Sequence, residues 1–121
     1  MTNHKQSEQD YLECILTLTQ ENAYVHRVEI ANELGVSQAA VNKAIKLLVE
    51  KGYVYEDGKH LFLTENGREY AEKVYEKHCL IRSFLQSLGV NAAQAEEDAC
   101  RMEHVVSEET FLAMKNFLNK Q

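Results

Sequence analysis

Three residues in the stretch ACRMEHVVSEE bring together a thiol, a carboxylate and an imidazole: Cys100, Glu103 and His104. On a helix the spacing i, i+3, i+4 stacks all three on one face. Three donors from one helix cannot close a metal site, so other ligands must come from elsewhere. Asp10 and Glu13, again i and i+3, share a face near the N-terminus, and His78 lies midway along the chain. Together these residues offer carboxylates, imidazoles and a thiolate, a mixture suited to Fe²⁺, Mn²⁺, Co²⁺ or Zn²⁺. Taken singly each has a plainer reading. Asp10 and Glu13 could be solvated first-turn carboxylates favoured by the helix dipole. His78 could be a partly buried polar residue, and Cys100 a small buried hydrophobe. Cys, Glu and His on one face resist that reading, because burying them unpaired is costly.

The elements that must position these residues are mostly helical. Proline is absent and apolar residues recur at helical spacing. Residues 7–21 read as a first helix, with Ser7 and Asp10 as a capping box and Tyr11, Leu12, Ile15, Leu16 and Leu18 as its apolar stripe. Val28, Ile30, Ala31 and Leu34 mark a short helix that Gly35 ends. Ser37 caps the next, with Val41, Ala44, Ile45, Leu48 and Val49 facing inward and Gly52 at its end. Two short helices joined by a glycine-containing turn form a helix-turn-helix pattern. Asp57-Gly58 between Val54-Tyr55 and Leu61-Phe62-Leu63 predicts a hairpin, so the order of elements is that of a winged helix. Thr64 caps a long helix that reaches about Leu88 and stops at Gly89, and residues 92–105 and 108–119 read as two more, separated at Ser107.

The expected fold is therefore mainly α. A winged helix-turn-helix DNA-binding domain over residues 1–64 precedes a three-helix metal-binding and dimerisation domain over residues 65–121. The second domain has Leu80, Ile81, Phe84, Leu85, Leu88, Phe111, Leu112, Met114, Phe117 and Leu118 to bury. Three short helices leave much of that area uncovered, which points to a homodimer.

Composition narrows the function. The net charge of −6 argues against nonspecific nucleic-acid binding. The acidic excess falls on residues 1–25 and 61–121, however, and residues 26–60 are balanced, so a local basic face there can still meet DNA. Three cysteines without an export signal read as free thiols or ligands rather than disulfides. The polar start MTNHKQSEQD lacks the apolar core of a signal peptide, and no apolar run reaches the roughly 20 residues a membrane span needs. A cytoplasmic protein with no membrane partner is expected. No H-E-x-x-H motif or glycine-rich phosphate loop is present, so an enzyme is not expected, nor a small-molecule substrate other than the metal ion.

The segment EDACRMEHVVSEE resembles the metal-anchoring segment of the diphtheria toxin repressor family, the iron- and manganese-dependent repressors. The resemblance runs the length of the chain. SEQDYLECILTLT is similar to that family's first helix, VEIANELGVSQAAVNKAIKLLVEKGYV to its helix-turn-helix, LFLTENGREYA to its wing exit and KHCLIRSFL to its dimer-forming helix. It implies that Asp10, Glu13, His78, Cys100, Glu103 and His104 are metal ligands. Cys100 stands where iron sensors have cysteine and manganese sensors glutamate. The resemblance also implies an ancillary site with a glutamate four residues after His78 and a histidine four before Cys100. Arg82 and Glu96 stand there instead, which puts that site in doubt. The SH3-like domain of larger members is expected to be absent.

The expected function is a transcriptional repressor of metal-uptake genes. It would bind a double-stranded DNA operator as a homodimer when Fe²⁺, or alternatively Mn²⁺, occupies a site joining the first helix to the dimerisation domain. The start of the recognition helix would face the bases: Ser37, Gln38, Ala39, Ala40, Asn42, Lys43 and Lys46, with Gln38 suited to adenine and the alanine methyls to thymine. Arg27 and Lys59 are candidate phosphate contacts, though for any single basic residue a solvated surface charge is the simpler reading. The alternative is a metal-independent winged-helix regulator whose C-terminal helices only dimerise.

Overall fold

The computed structural model describes residues 8–120, so the expected cap Ser7 lies outside the described residues. The chain forms two compact units, Met1–Glu72 and Lys73–Gln121. In the first, α1 (Glu8–Glu21) packs against α2 (Arg27–Leu34) and α3 (Gln38–Glu50), with β1 (Val54–Asp57) and β2 (His60–Leu63) pairing as an antiparallel hairpin. A long helix, α4 (Glu65–Ser87), runs from this unit into the next, where α5 (Ala92–Met102) and α6 (Glu108–Asn119) complete the fold.

Side-chain caps set most of the helix starts. Ser37 Oγ accepts the Ala40 N–H at 3.1 Å, Thr64 Oγ1 the Gly67 N–H at 3.0 Å, Asn91 Oδ1 the Gln94 N–H at 2.9 Å and Ser107 Oγ the Thr110 N–H at 3.2 Å. Each satisfies one of the amides that a helix N-terminus leaves without a partner. At α2 the Glu29 carboxylate accepts the His26 N–H at 2.8 Å, a cap supplied from within the helix's first turn. Gly35, at φ 66°, closes α2 in the left-handed conformation.

The first unit has a well-filled core. Leu12, Ile15, Val25, Ile30, Val41, Ile45, Leu48, Val54 and Leu61 are essentially inaccessible to solvent. Val49, expected to face inward, is 37% exposed. Val41, Ile45 and Leu48 form the buried stripe, and Val49, one position past Leu48, turns 100° off it. In the hairpin Asp57 pairs with His60, so the linking residues are Gly58 and Lys59 rather than Asp57-Gly58. Gly58 takes the positive φ of 65° that a two-residue turn demands of its first residue. Val25 adds a single bridge to Leu61, giving the wing a third, one-residue strand.

The second unit is sparser. Ile81, Ala99 and Met114 are its buried centre, with Leu80, Phe84, Leu85, Met102 and Val106 packed around them. Leu88, Leu112 and Phe117, among the apolar residues this unit has to bury, are exposed, as is Val105. Leu88 lies past the end of α4, and Leu112 and Phe117 lie off the buried Phe111–Met114 edge of α6. The helix expected over residues 92–105 ends at Met102. The β-branched pair Val105-Val106 precedes Ser107, whose extended backbone (φ −70°, ψ 163°) starts the next cap and cannot continue a helix.

No described helix is long and apolar enough to cross a membrane.

Gly67, inside α4, is fixed by close approach. A Cβ there would sit 1.9 Å from the Tyr53 carbonyl oxygen. Thr64 holds that turn in place, its N–H donating to Tyr53 O at 3.0 Å and its hydroxyl to Gly52 O at 2.6 Å. Helix propensity alone favours Gly67→Ala by about 1 kcal/mol. The clash with backbone reverses the sign, and the variant is expected to lose about 1–3 kcal/mol, read as a lower urea midpoint. A midpoint at or above the parent's would show that the Tyr53 carbonyl gives way.

Candidate metal centre

The second unit gathers chemistry around one imidazole. His78, on α4, is 3% exposed. Its Nδ1 lies 3.1 Å from Glu103 Oε1 and its Nε2 lies 2.9 Å from Glu96 Oε2. Glu103 caps the C-terminal end of α5 and is also 3% exposed. Its second oxygen, Oε2, is buried and has no hydrogen-bond partner among the described residues. Glu96 differs: it is about half exposed, and its Oε1 accepts from Arg82 Nη1 at 2.9 Å. Burial works against ionisation of Glu96, but the Arg82 guanidinium and His78 outweigh it and hold the carboxyl below its usual range. The same bond raises Arg82 above an ordinary guanidinium.

Cys100, one turn along α5 from Glu96, places Sγ 3.9 Å from Glu96 Oε2. His78, Glu96 and Cys100 each offer a ligand atom within 4.8 Å of the others. Lys77 braces the arrangement. Its Nζ donates to the Val106 carbonyl at 3.0 Å and lies 5.9 Å from the centre of the Phe111 ring, tying the turn after α5 to α4.

Of the residues read from sequence as ligands, the structure thus brings His78, Cys100 and Glu103 into one neighbourhood. His104 is part-buried in the turn beyond α5, outside the His78–Glu96–Cys100 group. Asp10 and Glu13 are part-buried on α1, in the first unit. In the sequence Glu96 and Arg82 stand only as departures from a pattern. The signal that could have joined them was present: the two departures carry opposite charges.

The winged-helix unit presents its candidate DNA residues to solvent. Gln38, Ala39, Asn42, Lys43, Lys46 and Lys59 are exposed and Ala40 is half-buried, whereas the Ser37 hydroxyl is engaged in capping α3. Arg27 is paired with Glu56 of β1, so a phosphate would compete with that carboxylate for it.

A winged helix followed by a helical unit in which imidazole, carboxylate and thiol groups converge is the arrangement of a DNA-binding domain joined to a second domain with candidate metal ligands. Residues 5–61 match the N-terminal DNA-binding domain of the iron dependent repressors, and residues 64–121 match their metal-binding and dimerisation domain. An HTH-type transcriptional regulator of Methanocaldococcus jannaschii is 39% identical over 118 residues, which cover 95% of this chain and 94% of that one. The transcriptional regulator MntR of Escherichia coli O157:H7 is 39% identical over 112 residues, covering 92% of this chain and 72% of that one. The solved structure of the manganese regulator SloR superposes with a TM-score of 0.85 at 31% identity, covering 98% of this chain. The chain spans about half that structure's length, 56%. The chain belongs to the iron-dependent repressor family and carries both its DNA-binding domain and its metal-binding and dimerisation domain.

The third thiol is of another kind. Cys14 is buried in α1, and burial first, then the carboxylates of Glu33 and Glu13, pushes its pKa up to about 12. Since only the thiolate alkylates, iodoacetamide at pH 8 with a chelator present should modify the part-exposed Cys79 and Cys100 and spare Cys14 until the protein is denatured. The same shift makes the fold lose stability as pH rises above about 9, where the unfolded thiol ionises and the folded one does not. Mass mapping of native and denatured samples checks the first point, and equal labelling of Cys14 in both would contradict it.

Proposed function

We propose that this protein is a transcriptional repressor that binds operator DNA as a homodimer when a divalent metal fills the site around His78 and Glu103. Fe²⁺ is the expected ion and Mn²⁺ the alternative, and genes for uptake of that metal are the expected targets. One observation carries the reading. Glu103 buries a carboxylate whose Oε2 has no hydrogen-bond partner among the described residues, next to the ring of a buried histidine. A buried carboxylate oxygen left in that condition is expensive unless a cation reaches it. The donors present, imidazole, carboxylate and thiol, are those first-row dications take, so the residues fit the group.

His78 would offer one ring nitrogen, Glu103 its buried oxygen and Cys100 a thiolate. On the family resemblance His104, Asp10 and Glu13 complete the set. A bound dication supplies the positive charge that lets these acidic groups sit together. The thiolate weighs toward Fe²⁺, because Mn²⁺ prefers hard oxygen donors, and the carboxylates of Asp10 and Glu13 weigh toward Mn²⁺. The ligand side chains then lose freedom, and DNA affinity rises by preorganisation rather than through new base contacts. Gln38, Asn42, Lys43 and Lys46 would read the operator, with Lys59 on phosphate. A second copy of the chain would cover the exposed Leu112 and Phe117.

Anaerobic DNA binding with chelator, then with graded Fe²⁺ or Mn²⁺, tests this. The parent should gain affinity steeply with metal. Glu103→Gln should lose that gain while remaining dimeric by analytical ultracentrifugation. Cys100→Glu should move the preference toward Mn²⁺. Equal DNA affinity with and without metal would leave a metal-independent winged-helix regulator.

A further inference from the structure

We propose that Arg82 and Glu96 are positioning residues for the metal site, forming a relay Arg82–Glu96–His78 that fixes which nitrogen of His78 faces the metal. The inference rests on the metal-site reading given above. A neutral imidazole has a lone pair on only one nitrogen, and the other carries a proton. His78 has a carboxylate oxygen within hydrogen-bond distance of both, Glu103 at Nδ1 and Glu96 at Nε2, so only one side can take a metal.

The two sides are not equivalent. On the Nε2 side Glu96 already has a cation, the Arg82 guanidinium at 2.9 Å, and about half of its side chain meets solvent. On the Nδ1 side Glu103 is buried with Oε2 unpartnered among the described residues. The unmet demand for positive charge therefore lies at Glu103. His78 Nε2–H donates to Glu96, and Nδ1 is left with its lone pair toward Glu103. A ligand histidine whose far N–H is held by a carboxylate is oriented and made more basic. Arg82 holds that carboxylate by its other oxygen, so Glu96 serves as an acceptor for His78 and not as a ligand. This gives one assignment to the opposite charges of Arg82 and Glu96 and to the geometry that pairs them.

The test is optical titration of the dimeric protein with Co²⁺, together with nitrogen NMR of the Zn²⁺-loaded protein. Glu96→Gln and Arg82→Gln should each weaken Co²⁺ binding by about 10- to 100-fold, with the number of ions per chain and the Co²⁺ band positions unchanged. Arg82→Lys should recover part of the loss. Loaded with Zn²⁺, the parent should show His78 protonated at Nε2. Both positions are partly solvent-exposed, and equal thermal midpoints would separate positioning from unfolding. Tighter binding or an extra ion per chain in Arg82→Gln would make Glu96 a ligand that Arg82 restrains, overturning the relay, as would a proton on Nδ1. Unchanged affinity in Glu96→Gln and Arg82→Gln, with Glu103→Gln still losing metal, would refute the relay alone. If Glu103→Gln also binds Co²⁺ as the parent does, the metal-site reading fails and takes the relay with it.

Discussion

The cost of burying charge organises this protein's second unit. His78 and Glu103 are as inaccessible as the apolar residues around them, yet one is a base and the other an acid. In a low-dielectric interior such groups must find partners or neutralise. His78 has a carboxylate oxygen against each of its nitrogens. Glu103 has that ring against one oxygen, and its Oε2 has no hydrogen-bond partner among the described residues. The surrounding elements serve that arrangement: α4 brings His78, the end of α5 brings Glu103, and Lys77 of α4 bonds the Val106 carbonyl in the turn between α5 and α6. The core beneath them, Ile81, Ala99 and Met114, is too small to hold three helices by hydrophobic burial alone. Polar contacts therefore carry an unusual share of this unit's geometry.

Glu96 and Glu103 lie on one helix and its cap, about two turns apart, yet their situations diverge. Glu96 is exposed enough for water to screen it and is paired with an arginine that never loses its charge. Glu103 has neither advantage. Two carboxylates of the same chemistry thereby end differently, one held by a guanidinium and one buried with an oxygen that has no partner among the described residues. Cys100 sits on the Glu96 side, its Sγ 3.9 Å from Glu96 Oε2.

Much of the fold was legible because its signals are local. Ser37 and Thr64 predict caps from type and position, and the structure has both hydroxyls on the expected amides. Gly35, Gly58 and Gly89 all adopt the positive φ that marks a stop or a turn. Less legible were features decided by distant contacts. Gly67 looks like a poor helix residue until the Tyr53 carbonyl is seen against it. Val49 looks buried until the turn it sits on is known. For the site, spacing pointed to the Cys100–Glu103–His104 segment, but only the fold could put His78 between two carboxylates, since no short-range pattern joins residues 78, 96 and 103. Arg82 and Glu96 read as isolated exceptions in one dimension and as a pair in three.

The hairpin has a consequence of its own. Its outer face stacks Tyr55 on Phe62 across the strands, with ring centres 5.1 Å apart, and Tyr24 on His60 at 4.2 Å, while Val54, Leu61 and Leu63 point into the core. A bare two-stranded ribbon is marginal in water, and its alignment is easily lost by slippage. Here a slip of one residue would bury the rings and expose the aliphatic side. Alignment is thus enforced along the strands and not at the tip. Lys59 and the length of the turn are left as the parts of the wing most tolerant of change, while Gly58 is held by its positive φ, so the reach of this finger can diversify without the domain beneath it being rebuilt.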